Sequence, residues 1–230
     1  MPTRRYFTPA TFRFLRDLAE NNDREWFKAN QDRFEDEVRE PALRFIEDFS
    51  EPLLKVSPHF TADARKSGGS LFRIHRDTRF SKDKTPYKTY VGIQFRHVAT
   101  RDDAHAPGFY LHIEPGGSYA GVGIWRPEAK VADQIRRAIA EDPASWEAVT
   151  RSPGFTASWE LRGDVLKRPP RGFDPEHPLV DDLRRKDFIA AARLTQKQLT
   201  SESFLHAYAA LCRSAAPFMG FLCRSVGVGF

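Results

Sequence analysis

The chain has 230 residues, of which 40% are hydrophobic, 13% aromatic and 29% charged, enough apolar material for one large domain or two small ones and too much for global disorder. Its longest run without Asp, Glu, Lys or Arg is Pro115 to Trp125, eleven residues against the roughly 20 that a helix needs to cross a bilayer. The start lacks an apolar stretch of signal-peptide type, and two cysteines cannot make a disulfide framework in a chain of this size, so the expectation is a soluble cytoplasmic protein with no membrane partner.

Thr8-Pro9 reads as an N-cap followed by proline at the first helical position, where its missing N–H costs nothing. Phe12, Leu15 and Leu18 then recur at helical spacing to about Glu20. Asn22 with Glu25 three residues on resembles a capping box for a second helix, whose buried stripe is Trp26, Phe27, Phe34 and Val38. Pro41 ends or kinks it, and Leu43, Phe45, Ile46 and Phe49 carry the helical pattern towards Leu54. After Lys66-Ser-Gly-Gly-Ser70 the period changes to two. Strands are predicted around Phe72 and Ile74, Val91 to Phe95, Phe109 to Ile113 and Ala120 to Ile124, with a hairpin turn at Pro115-Gly-Gly-Ser118. Helices follow from Pro127 to about Ala140 and from Pro143 to Thr150, then a proline-rich loop over 168–178. A last long helix from about Ser201 to Arg224 carries a kink at Pro217. On it Cys212 and Cys223 lie eleven residues apart, about 16 Å along one helix axis, and read as small core residues. The whole reads as a single α+β domain over 1–230: N-terminal helices over 1–55, a central antiparallel sheet of about four or more strands over 71–125, and helices plus the loop over 127–230. The N-terminal and C-terminal helices pack on the apolar face of the sheet.

The net charge of +5 is local. Glu20 to Glu51 holds five basic and eleven acidic residues, Lys66 to Arg101 nine basic and two acidic, and residues 102 to 230 sixteen of each. A compact excess of positive charge favours an anionic ligand, although it can also lie against the acidic N-terminal segment and neutralise it internally. Its centre places Arg73, Arg76, Arg79, Lys82, Lys84 and Lys88 within sixteen positions, accompanied by Asp77, Asp83 and Tyr87.

The residues Phe12-x-Phe-Leu-x-x-Leu18 and Asn21-Asn22-x-Arg24-Glu25-Trp26-Phe27 resemble the opening of the bacterial and fungal family catalogued as domain of unknown function 2461. Its central signature is similar to Arg73-x-x-Arg76-Asp77-x-Arg79-Phe80-Ser81-x-Asp83-Lys84-x-Pro86-Tyr87-Lys88-Thr89, with His75 standing where an aromatic such as Tyr is expected. Tyr110-Leu-His112-Ile-Glu114, Gly121-x-Gly123-x-Trp125, Pro170-x-Gly172-Phe173 and His177-Pro178 resemble later parts of the family. The resemblance spans roughly residues 7–195. It implies a shared fold and surface, without an assigned activity.

Chemically, Arg73, Arg76, Arg79, Lys82, Lys84 and Lys88 are candidates for holding a phosphate or carboxylate, with Tyr87 as a hydrogen-bond donor and Trp125 as a stacking surface. Asp77, His112 and Glu114 are the candidates for acid–base work, since His112 and Glu114 share one side of a strand. No Cys or His stands at metal-ligand spacing, and no cofactor-binding loop occurs, so neither a metal nor a cofactor is expected. The favoured partner is an anionic small molecule. Two alternatives remain: a nucleic-acid-binding module using the 66–101 segment, with Phe80, Tyr87 and Trp125 for stacking, and a protein-interaction domain whose Arg–Asp network only holds the fold.

Overall fold

The computed structural model describes residues 3–100 and 106–230. Helix α1, Pro9–Glu20, starts as its sequence predicts. Thr8 Oγ1 accepts from the Ala10 N–H at 3.2 Å, and the Thr8 N–H donates back to Thr11 Oγ1. Helix α2, Arg24–Ala29, is capped one residue later than expected, by Asp23, whose carboxylate accepts from the Trp26 N–H at 2.9 Å. The side-chain amide of Asn22 is engaged elsewhere. Helix α3, Gln31–Phe34, runs through a π turn at Glu35–Arg39 into α4, Glu40–Leu54. Pro41 thus lies in the first turn of α4, and the wider turn before it makes room for a ring that would meet the preceding carbonyls in a regular α-helix.

The remaining elements follow in order: β1 Phe60–Thr61, β2 Val91–His97, β3 Gly108–Ile113, β4 Tyr119–Ile124, α5 Ala129–Glu141, α6 Pro143–Thr150, α7 Pro153–Thr156, β5 Glu160–Arg162, α8 Val180–Leu183, β6 Phe188–Arg193, α9 Gln196–Leu199, α10 Phe204–Ser214 and α11 Ala216–Ser225. Six strands form one sheet in the order β1-β2-β3-β4-β6-β5, antiparallel at every step. The architecture is α+β.

Alternation gives the sheet two different faces. Ile93, Phe95, Phe109, Leu111, Ala120, Val122, Phe188 and Ala190 point into a core that continues through the helices from Tyr6 to Cys223. On this face α4 packs against β1 and β2, α10 against α4, and α11 against β4. The rings of Phe45, Phe49, Phe95, Phe204 and Tyr208 interlock there at centroid distances of 4.8–6.2 Å. Phe45 and Phe49 are fully buried, which stabilises α4 on the sheet by about 1.5–3 kcal/mol for each ring. The opposite face carries Tyr110 and His112 of β3, Tyr119, Gly121 and Gly123 of β4, and Ile189, Ala191 and Arg193 of β6. Gly123 has φ +123°, and a Cβ there would lie 2.1 Å from the Phe188 carbonyl oxygen, so glycine is what lets β4 and β6 approach at this point.

Three elements depart from the sequence reading. Residues 71–75 are extended but not a strand, making only isolated bridges, Leu71 to Ile93 and His75 to Tyr87. β1, β5 and β6 join the sheet beside the three predicted runs that do form strands. The last helix is two helices, because the chain bends at Ala215 and restarts with Pro217 in the first turn of α11, the position that proline favours. The loop over 168–178 is irregular, as its prolines require. Among the described residues no helix is long and apolar enough to cross a membrane.

Candidate functional site

From Ser70 the chain runs along β2, with Gln94 N–H donating to the Ser70 carbonyl at 2.8 Å and Phe72 N–H to Gly92 at 2.9 Å. It then leaves the edge and folds on itself, Arg76 N–H donating to Pro86 and Lys88 N–H to Ile74, both at 2.8 Å. This narrow hairpin brings the basic residues of 73–88 together. Its root is anchored in the helices. Tyr87, only 6% exposed, stacks on Phe27 at 4.1 Å and 20°. The Asn22 side-chain amide closes a two-way bond to the Tyr87 backbone, donating to its carbonyl and accepting from its N–H at 3.0 Å each. Tyr87 therefore sits in the packing between hairpin and α2, and Asn22 holds the hairpin instead of capping α2.

Much of the hairpin's charge is bonded within it. Arg76 Nη1 donates to Asp83 Oδ2 at 2.5 Å and to Thr85 Oγ1. Arg79 donates to both Asp77 oxygens, at 3.0 and 2.7 Å. Lys84 Nζ donates to the Thr78 carbonyl at 2.8 Å. These contacts pull both carboxyl pKa values down to about 2. For Asp77 the main cause is the Arg79 side chain, and for Asp83 it is the Thr85 N–H followed by Arg76. A carboxylate held so low is a weak base at neutral pH, which leaves Asp77 placed to orient Arg79. Lys88 differs. Its half-buried ammonium donates to the Arg73 and His75 carbonyls at 2.5 and 2.9 Å, and among the described residues no carboxylate pairs with it. Burial, then the neighbouring Arg73 and Arg76 charges, lower its pKa. Arg73 and Lys82 are exposed, and Phe80 stands 96% exposed at the tip.

Beside the root of the hairpin lies a row of polar aromatic residues on the sheet's outer face. His112, 8% exposed, is sandwiched between Tyr90 at 4.4 Å and 31° and Tyr119 at 4.7 Å and 16°. Its Nδ1 lies 3.1 Å from the Tyr110 hydroxyl and its Nε2 lies 3.1 Å from Glu114 Oε2. Burial lowers the His112 pKa, against the opposing pull of Glu114. The neutral ring then donates from Nε2 to the carboxylate and accepts the Tyr110 proton at Nδ1. The turn after β3 fixes Glu114, since Ser118 Oγ accepts from the Glu114 N–H at 2.9 Å and donates to its carbonyl at 2.8 Å. Burial, the largest cause in each case, raises the pKa of Tyr90, Tyr110 and Tyr119, so their hydroxyls stay protonated donors at neutral pH.

Tyr90 joins the two groups. Its hydroxyl lies in the fields of both Glu114 and Arg76. Arg76 thus lies within electrostatic reach of Tyr90, which packs on His112, and Arg73 and Arg76 both act on Lys88, with Arg79, Lys82 and Lys84 towards the hairpin's far end. Trp125 is not with them. Tyr119 faces His112 and Gly123 faces Gly108, so Trp125 lies near the other end of the strand, six residues or roughly 20 Å from Tyr119. There it is 49% exposed, with the Arg126 guanidinium 4.7 Å from its ring centre. Sequence reasoning gave no role to Tyr90 and Tyr119. Tyr119 was visible in the alternation of β4, but only the register puts it against His112. Lys66 of the basic segment pairs with Glu40 at 3.1 Å, and Arg101 lies outside the described residues. Among the described residues no group of three His, Cys, Asp or Glu converges as a metal site.

A family model described as conserved hypothetical protein (DUF2461) matches residues 10–221. The match covers the Asn22 clamp, the hairpin and the His112 row, and it continues past residue 195 through α10 into α11. No curated protein and no solved structure matches the chain.

Proposed function

The chain belongs to the DUF2461 family of conserved hypothetical proteins, and for it we propose a binding site for a phosphorylated or otherwise anionic small ligand at Arg73, Arg76 and Lys88. The observation that carries this reading is the Lys88 ammonium. It is half-buried beside the guanidinium groups of Arg73 and Arg76, the second of which also pairs with Asp83, and among the described residues its bonds go to carbonyl oxygens of its own hairpin. Like charges at close quarters are costly unless an anion offsets them, and Lys88 has an N–H left to donate after its two carbonyls. The Asn22 clamp and the Tyr87–Phe27 stack hold this group in place before a ligand arrives, which lowers the ordering cost of binding. The neighbouring His112–Glu114 pair gives the site a neutral imidazole and a carboxylate for proton transfer on the bound molecule.

Calorimetric titration tests this with phosphate, pyrophosphate, sugar phosphates, nucleotides and a short oligonucleotide, each at low and moderate salt. Arg73 is exposed, so Arg73→Ala leaves the melting temperature unchanged. It weakens the small anion about tenfold or more, the loss of one charge-assisted hydrogen bond of roughly 1.5–3 kcal/mol. Tighter binding of the oligonucleotide than of any small anion, with a salt slope of several charges, overturns the proposal in favour of a nucleic-acid interface. Absence of binding by every probe overturns both.

A further inference from the structure

Two apolar features of the surface have no partner among the described residues. The first is Phe80. Residues 77–84 form the outer part of the basic hairpin, and none of them is buried. The tip is nevertheless fixed, because the Ser81 N–H and the Lys84 ammonium both donate to the Thr78 carbonyl, at 3.3 and 2.8 Å. Phe80 is the most exposed large apolar side chain described, and the Arg79 guanidinium lies 5.9 Å from its ring centre. An aromatic ring held on a rigid tip loses little freedom when it enters an apolar pocket. The second feature is a groove of about 660 Å³ on the outer face of the sheet, with Tyr119, Trp159, Ile189 and Ala191 as its apolar lining. The two lie at one end of the sheet. β2 begins at Val91 opposite Ile113, the last residue of β3, and the hairpin precedes it, while β4 begins at Tyr119, between His112 and Arg193. Six residues separate the hairpin root at Ile74 from Phe80, at most roughly 20 Å of extended chain.

We propose that two copies of the chain pair through this end of the molecule, each seating its Phe80 in the groove of the other. A two-fold axis makes the two contacts equivalent and closes the dimer, which requires knob and groove on one side of each copy. Their common end of the sheet supplies that. The charges agree. Lys82 beside Phe80 and Arg193 at the groove are both exposed, and among the described residues neither pairs with a carboxylate. Asp83 near the tip and Glu160 at the groove each hold one arginine, Arg76 and Arg162, and are exposed on their outer sides. Between copies, Lys82 meets Glu160 and Asp83 meets Arg193, so opposite charges ring the apolar contact. Ala191 is the small residue that leaves the groove floor open. The proposal is independent of the anion-site reading, since Phe80 and Lys82 lie at the far end of the hairpin from Lys88.

Sedimentation equilibrium of the full chain at moderate salt, from about 1 to 500 µM, tests this on wild type, Phe80→Ala and Ala191→Trp. Wild type is expected to show a reversible monomer–dimer equilibrium. Phe80→Ala removes the knob from both copies and Ala191→Trp fills both grooves from an outward-facing position. Each is expected to weaken the dimer about tenfold or more, the least that losing a buried Phe contact implies, while circular dichroism and the melting temperature of the dilute monomer stay at wild-type values. The decisive arm mixes the two variants. In the mixed dimer the Phe80 of one copy still finds the open groove of the other, so the mixture associates more tightly than either variant alone. A wild type that stays monomeric throughout overturns the proposal and leaves the groove to a different partner. A dimer that Phe80→Ala does not weaken overturns it as well, and so does a mixture no tighter than its components.

Discussion

Replacing Asn22 with alanine removes the side chain that joins the helical layer to the basic hairpin. The wild-type amide makes two bonds of 3.0 Å to the backbone of Tyr87, sixty-five residues away. Each bond contributes about 1 kcal/mol net, and a half-buried N–H and carbonyl left without partners cost at least as much, so Asn22→Ala should destabilise the protein by roughly 2 kcal/mol. For a chain of this length that is a fall of about 4–8 °C in melting temperature. Asn22→Asp is the informative companion. Its carboxylate still accepts from the Tyr87 N–H but faces the Tyr87 carbonyl without a donor, so its loss should equal or exceed that of alanine. Urea unfolding gives the free energies, and hydrogen exchange at the amides of Arg76 and Lys88, both bonded across the hairpin, tells where the loss falls. Faster exchange there, with β3 and β4 unchanged, is expected for both variants. A loss below about 0.5 kcal/mol, the size of an ordinary surface substitution, would refute the clamp as the link between the two segments.

Stability should also fall as the pH drops below about 6.5, the ordinary pKa of histidine. Burial depresses His112, so over that window the unfolded chain binds a proton that the folded one resists. In His112→Gln the urea midpoint should be flatter across pH 5–7, and identical pH profiles for the two proteins would contradict this. Gly117→Ala should push the Glu114 carboxylate off Nε2, since the new Cβ would lie 2.8 Å from Oε2. The His112 pKa read by NMR should then fall further, and an unchanged value would show that Glu114 does not raise it. Gly123→Ala should cost about 2 kcal/mol or more, by forcing a Cβ onto the Phe188 carbonyl at positive φ. A melting temperature within 2 °C of wild type would contradict that.

The sequence shows β2, β3 and β4 because each alternates large apolar residues with glycine or polar ones, so that the large apolar residues share the face turned to the helices. β6 is hidden because Phe188-Ile-Ala-Ala-Ala-Arg193 is rich in alanine, a helix former that becomes strand only through pairing with β4 and β5. Residues 71–75 show the converse. Their alternation correctly separates exposed Arg73 and His75 from half-buried Phe72 and Ile74, but a period of two says nothing about ladder hydrogen bonds, and here there are few. In the site, the basic residues were legible as a cluster because they are close in sequence. Their partners were less so. Which cations are bonded within the hairpin and which are left, as at Lys88, depends on a fold-back whose geometry the string does not contain. The same holds for the long-range meeting of Asn22 with Tyr87, and for the sandwich of His112 between Tyr90 and Tyr119, which exists only in one sheet register.

Chemical-shift mapping of the isotopically labelled protein with pyrophosphate at moderate salt tests the central claim most directly. The anion-site account predicts saturable shifts at the Arg73 and Arg76 side chains and the Lys88 and Tyr90 amides, with smaller ones at the His112 ring, all fitting one dissociation constant. Shifts spread over the many other arginines without saturation, or confined to Lys82 and the exposed tip at Phe80, would contradict it.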